Sequence, residues 1–207
     1  MASAVDIPVT VKCRIGVDED DERASLFTFT DTIADAGCTV FMVHARKAWL
    51  KGLSPKENRD VPPLDYDLVA ELKAARPDLT ITLYGGLATL EDCQRELLRF
   101  DGVMLGRAAY QTPALLGQID SALFGEGGKV TAVEALAAYL PYMQDQLAAG
   151  TNLHAITRHM LGLFAGRPGA RAYRRHISEN ATKPGASLSV LDDAVGHVQD
   201  AEAKITA

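Results

Sequence analysis

In the run VTVKCRI, Lys12 and Arg14 alternate with Val11, Cys13 and Ile15. A strand there would send two cations to one face and apolar side chains to the other. Parallel sheets are normally covered on both faces, and a covered cation needs a polar or anionic partner. A carboxylate on a neighbouring strand would serve, and so would the anionic group of a cofactor or substrate. His44 ends a second apolar run, TVFMVH, and leads into a segment in which Arg46, Lys47, Lys51, Lys56 and Arg59 surround Trp49. A histidine so placed is either a structural, backbone-bonded group or a member of an anion-binding cluster. Two further runs end in Gly85-Gly86 and Gly106-Arg107. Glycine at a strand-to-helix turn lets backbone N–H groups approach a phosphate closely, and the N-terminus of the helix that follows favours negative charge.

A second concentration of charge lies near the C-terminus. From Gln146 to Ser178 there is no Asp or Glu, while Arg158, Arg167, Arg171, Arg174 and Arg175 are joined by His154, His159 and His176. On a helix, Arg171 shares a face with Arg174 and Arg175. That face suits the phosphates of a nucleic acid, and equally a set of acidic neighbours such as Glu179.

The elements that must position these groups are legible as two patterns. Up to about residue 110, short β-rich runs alternate with helical spacing, and no two-residue hairpin turn links consecutive runs. The predicted strands are Val9 to Ile15, Thr39 to His44, Thr80 to Tyr84 and Gly102 to Leu105. The predicted helices between them are Glu22 to Ala36, closed by Gly37, then Asp65 to Arg76, and Glu91 to Phe100, opened by Thr89. Four βα units make half of an eight-stranded barrel. A doubly wound sheet is the competing architecture, but the turn after its first strand is normally glycine-rich, and here it reads Ile15-Gly16-Val17-Asp18. The pattern therefore reads as a barrel without its first half, and if the last two runs are its final strands, their glycine turns fall where this fold often binds phosphate.

The stretch FGEGGK at 124–129 reads as a connector, and only helical pattern follows it. Helices are predicted at Ala132 to Ala149, Leu153 to Phe164, Ala170 to Glu179 and Ser187 to Ile205. The division is thus 1–123, a half TIM (βα)8 barrel of α/β class, and 124–207, an all-α helical domain.

Composition limits the choices further. The 207 residues are 47% hydrophobic and 23% charged, as in a soluble globular protein. With 21 Lys and Arg against 27 Asp and Glu, the net charge of −6 excludes a uniformly basic nucleic-acid binder, so any RNA contact must be a local patch. Cys13, Cys38 and Cys93 form neither a CxxC pair nor a disulfide framework, and a metal site is not expected. No signal peptide or membrane span is read from the sequence, and a cytoplasmic protein is expected.

The stretches PVTVKCRIG, VHARKAWLKGLSPKENRDVPPLDY, DGVMLGRAAY and RHMLGLFAGRPGARAYRRHISEN resemble the tRNA-dihydrouridine synthases, specifically the A subfamily. The resemblance covers nearly the whole chain and implies barrel strands five to eight followed by the family's helical RNA-binding domain. It implies FMN at the barrel mouth, NADPH as its reductant, and reduction of a D-loop uridine of tRNA, 20 or 20a, to 5,6-dihydrouridine. The family's protonating cysteine belongs to a loop after the fourth strand, and none of the three cysteines here matches its motif, so no catalytic residue is assigned. Carried over position by position, the flavin contacts are Lys12, His44, Tyr84, Gly85, Gly86, Gly106 and Arg107, and the tRNA contacts are Lys56, Arg59, Arg171 and Arg174. Tyr84 departs from the family's usual Asn. Two other readings stand beside this one: a non-catalytic tRNA-binding fragment, with a homodimer allowed by the open barrel edges, and a phosphosugar isomerase or lyase of barrel fold, which leaves the basic helices unexplained.

Overall fold

The computed structural model describes residues 2–125 and 127–206. The chain forms two compact units, Met1–Gly106 and Arg107–Ala207. In the first unit β1 (Val11–Arg14), β2 (Val40–His44), β3 (Thr80–Tyr84) and β4 (Gly102–Met104) alternate with α1 (Glu22–Asp35), α2 (Tyr66–Ala75) and α3 (Leu90–Glu96). All neighbouring strands are parallel and their order is β1-β2-β3-β4. That order lacks the reversal that defines a doubly wound sheet, and it is the order a (βα)8 barrel requires.

Each helix start follows from a local polar group. The Asp21 side chain accepts from Ala24 N, the Asp65 side chain accepts from Leu68 N, and Thr89 with Asp92 forms a reciprocal capping box. Gly37 follows the α1 C-cap at φ +97°, where an L side chain would be strained.

One face of the sheet makes the core. Phe41, Val43, Ile81 and Leu83 pack with Leu26 of α1 and Leu68, Val69 and Leu72 of α2. The other face carries two rows across the strands: Lys12, Met42, Thr82 and Gly102, then Arg14, His44, Tyr84 and Met104. Lys12 on this face is exposed and Met42, Thr82 and Tyr84 are half-buried, whereas a barrel interior would bury them.

In the second unit, α4 (Arg107–Gln111) and α5 (Leu116–Ile119) precede α6 (Ala132–Ala148), α7 (Leu153–Thr157), α8 (Ala170–Asn180) and α9 (Ser189–Thr206). The boundary expected at 123/124 therefore falls inside this unit. The short helices after β4 meet the later chain through close backbone contacts: a Cβ on Gly117 would collide with the Val130 carbonyl, and one on Gly162 with the Gln111 carbonyl. Within the expected connector, Gly125 and Gly127 are left-handed, and Glu126 lies outside the described residues.

The helix expected from Leu153 to Phe164 stops at Thr157. Gly162 is held against backbone, and Gly166 and Gly169 at positive φ flank Pro168, so the chain turns instead of coiling. Similarly α3 ends at Glu96, and β1, β2 and β4 are one to three residues shorter than the runs that announce them, while β3 has the expected bounds.

The core of this unit centres on Tyr173. It is fully buried, its ring meets Phe164 edge-on at 4.8 Å, and its hydroxyl donates to Met160 O at 3.2 Å. Tyr173→Ala is expected to lower unfolding free energy by about 3–5 kcal/mol, and Tyr173→Phe by about 1 kcal/mol. Urea unfolding of the two variants measures both.

Candidate functional site

At the C-terminal ends of the strands, β1 brings Lys12, β2 brings His44 and β3 brings Tyr84 to the same open face. The Lys12 ammonium lies over the Tyr84 ring, 4.3 Å from its centre, and the His44 ring lies 4.6 Å from that of Tyr84 at 50°. His44 is buried. Desolvation, reinforced by the charge of Arg14, holds Lys12 below the usual lysine range, with Cys13 opposing the shift.

Glycine turns complete this face. Gly85 (φ +113°) and Gly86 (φ +75°) adopt conformations that L side chains avoid. A Cβ on Gly85 would lie 2.6 Å from His44 Cδ2, one on Gly86 2.8 Å from the Tyr66 hydroxyl, and one on Gly106 2.7 Å from the Tyr84 hydroxyl. The Tyr66 hydroxyl donates to Gly85 O at 2.5 Å and pins the turn. Arg107, the residue after Gly106, opens α4 and is exposed. The residues present fit a phosphate ester: a cation beside a buried imidazole, and turns in which His44, Tyr66 and Tyr84 pack so closely on the backbone that only glycine fits at three positions.

Arg14 plays a different part from Lys12. Its guanidinium donates to Lys47 O at 2.9 Å and to Asn58 O at 3.0 Å, tying down both ends of the segment after β2. Arg46 donates to Asp60 O at 3.1 Å and to Pro62 O, leaving its Nε buried without an acceptor among the described residues. Asn58 accepts from Trp49 N at 2.8 Å and donates back to Trp49 O. Lys56 and Arg59 stand exposed on this braced segment, around the short turn Glu57–Arg59. Among the described residues, the strand cation Arg14 thus pairs with main-chain carbonyl oxygens. Sequence reading missed Asn58 and Tyr66 and placed Arg46 only in the cationic cluster, not as a brace; the signal for Arg14, two cations on one strand face, did not say which would turn to the loop.

In the second unit Arg171 and Arg174 are both exposed on α8, whose apolar side buries Tyr173 and Ile177. Among the described residues no helix is long and apolar enough to cross a membrane, and no cluster of three or more His, Cys, Asp or Glu is placed to hold a metal ion.

None of the three cysteines reaches the open face. Cys13 alternates with Lys12 and packs on the helix side. Cys38 donates to Val9 O at 3.5 Å, and Cys93 is buried.

The profile of the family described as dihydrouridine synthase (Dus) matches residues 1–200, and the chain belongs to that family. It is 54% identical over 200 residues to a tRNA-dihydrouridine(20/20a) synthase of Shewanella oneidensis, a match covering 96% of this chain and 60% of the relative. The enzyme of the same name from Yersinia pestis is 52% identical over 200 residues, with 96% of this chain and 58% of the relative covered. That of Escherichia coli K12 is 50% identical over 202 residues, covering 97% and 59%. The chain thus spans about 60% of the length of the curated relatives it matches.

Two outcomes are expected from this geometry. Burial pushes the Cys13 thiol up to about 11, against the opposing charge of Lys12; at neutral pH it should react with iodoacetamide roughly a hundredfold more slowly than an ordinary thiol, as peptide mapping of the alkylated chain would show. Arg14→Met removes both carbonyl anchors, so limited trypsin digestion should cut after Lys51, Lys56 and Arg59 at least several-fold faster than in the parent chain while the strands stay protected.

Proposed function

We propose that this chain is the cofactor-phosphate and RNA-binding part of a flavin-dependent tRNA-dihydrouridine synthase of the A subfamily, corresponding to barrel strands five to eight and the helical domain after them. The observation that carries the reading is the convergence of Lys12, His44, Tyr84, Gly85, Gly86 and Gly106 at the C-terminal ends of parallel strands, where barrel enzymes build their sites. The relatives, tRNA-dihydrouridine(20/20a) synthases, support the tRNA substrate and the 20/20a position.

FMN, if bound there with NADPH as reductant, would supply a hydride for the C5=C6 bond of uridine. Lys12 places a fixed positive charge at the mouth, where it would stabilise negative charge on a reduced flavin. The turns at Gly85-Gly86 and Gly106 would offer backbone amides to the phosphate, and Arg107 adds a positive charge at the next position in the chain. Tyr84, where the family usually has Asn, acts as a platform under the Lys12 ammonium. His44 orients by its buried ring, wedged against Tyr84. Lys56 and Arg59 from the braced segment, and Arg171 and Arg174 from α8, hold tRNA phosphates. The protonating acid is none of Cys13, Cys38 and Cys93. In domain terms, the first unit, up to Gly106, binds FMN and the helices of the second bind tRNA.

The uncovered face of the sheet, with Lys12 exposed, favours a second reading in which the chain alone binds tRNA without flavin. The two separate in one experiment. The purified chain is mixed with FMN, passed through gel filtration and scanned in the visible range. Retained flavin bands are expected, with Lys12→Met weakening retention about tenfold or more. A folded sample that binds tRNA but keeps no flavin would leave only the second reading.

A further inference from the structure

The second unit carries an aromatic cleft that the reading above does not use. Tyr139 and Tyr142 lie three residues apart on α6, on one face. Their rings stack with centroids 5.0 Å apart and planes at 28°. Both stay open to solvent, at 38% and 50% exposure. With Gln146 they form one wall of a cleft of about 350 Å³ whose other side includes Ile156, His159 and Met160, and no Asp or Glu lines it.

His159 is fixed on both ring nitrogens. Arg158 Nε donates to His159 Nε2 at 2.9 Å. A guanidinium has no lone pair to accept with, so in the neutral ring Nε2 accepts and Nδ1 carries the hydrogen. That N–H then donates to the Tyr110 hydroxyl at 3.0 Å, with the two rings edge-on. Tyr110 is itself 58% exposed. Scattered exposed aromatics need no explanation, but here a stacked pair shares a concave site with an imidazole aligned by an arginine.

We infer that this cleft binds an unpaired nucleobase of RNA, stacked on the tyrosine wall, with Arg158 meeting the flanking phosphate. Charge selects RNA over a protein partner: the cleft has no carboxylate, and the sequence from Gln146 to Ser178 has none either while holding five arginines, of which Arg167 is neutralised by Glu202. Shape agrees, because the volume is that of a small-ligand site and a ring face accepts any base. The inference rests on the RNA-binding reading above and deepens it by adding a base contact to the phosphate contacts proposed there.

The test measures binding of the full chain to an unmodified tRNA transcript and to a single-stranded oligouridylate of about eight nucleotides, each across a salt series. Tyr142→Ala is expected to weaken both by roughly 5- to 150-fold with the slope of log affinity against log salt unchanged, since a lost stack releases no counterions. Tyr142→Phe should bind like the parent, because the ring suffices. Arg174→Ala, in contrast, should flatten the tRNA slope by about one unit. Tyr142→Ala with parental oligouridylate affinity would overturn the inference. So would a parent chain that binds neither RNA, or a Tyr142→Ala effect confined to self-association in sedimentation. Tyrosine-dependent oligouridylate binding without tRNA binding would uphold the cleft and remove the tRNA reading instead.

Discussion

Successive side chains of a β-strand must leave on opposite faces, and the chemistry of the first unit hangs on that alternation in β1. Cys13 goes to the helix side and joins the apolar core; Lys12 and Arg14 go to the other side. One residue of slip would bury two cations among Phe41, Val43, Ile81 and Leu83 and expose the core residues of the strand. Register with β2 and β3 then sets Arg14 beside His44 and His44 beside Tyr84, while Lys12 begins the row below. The cationic face and the apolar core are therefore two consequences of one pairing.

The two cations of β1 divide the work because of reach and hydrogen-bond geometry. A guanidinium carries several donors in a planar fork, and Arg14 spends them on two carbonyls eleven residues apart, Lys47 O and Asn58 O. Lys12 offers a point charge and rests on an aromatic face. Thus one cation holds a segment in place and the other remains beside the glycine cradle. Arg46 repeats the Arg14 device on Asp60 and Pro62. A segment rich in Lys and Arg, which would otherwise repel itself into an extended loop, is held by its own main-chain oxygens.

The second unit separates binding chemistries by helix face. On α8, Tyr173 and Ile177 enter the core while Arg171 and Arg174 face water. On α6, Leu136 and Met143 enter the core while Tyr139 and Tyr142 stay out. Arginine on one helix suits phosphate and tyrosine on another suits a base, and both follow from helical periodicity around a shared core.

Periodicity, capping and glycine placement are local, so the sequence alone determined the four parallel strands, the helix opened by Thr89 and the one starting at Ala132, the glycine turns and the cationic clusters. It overran α7 because apolar spacing continues through Leu161 and Phe164, while the break at Thr157 depends on Gly162 meeting the Gln111 carbonyl, a contact fifty-one positions away in sequence. The division after Gly106 was hidden for the same reason, since α4 and α5 join the second unit through distant backbone. Tertiary structure also decided which cation pairs with what: Arg14 with loop carbonyls, Lys12 with Tyr84, Arg158 with His159. A residue type fixes how many donors a side chain has, but only the folded backbone fixes which acceptors lie within 3 Å of them.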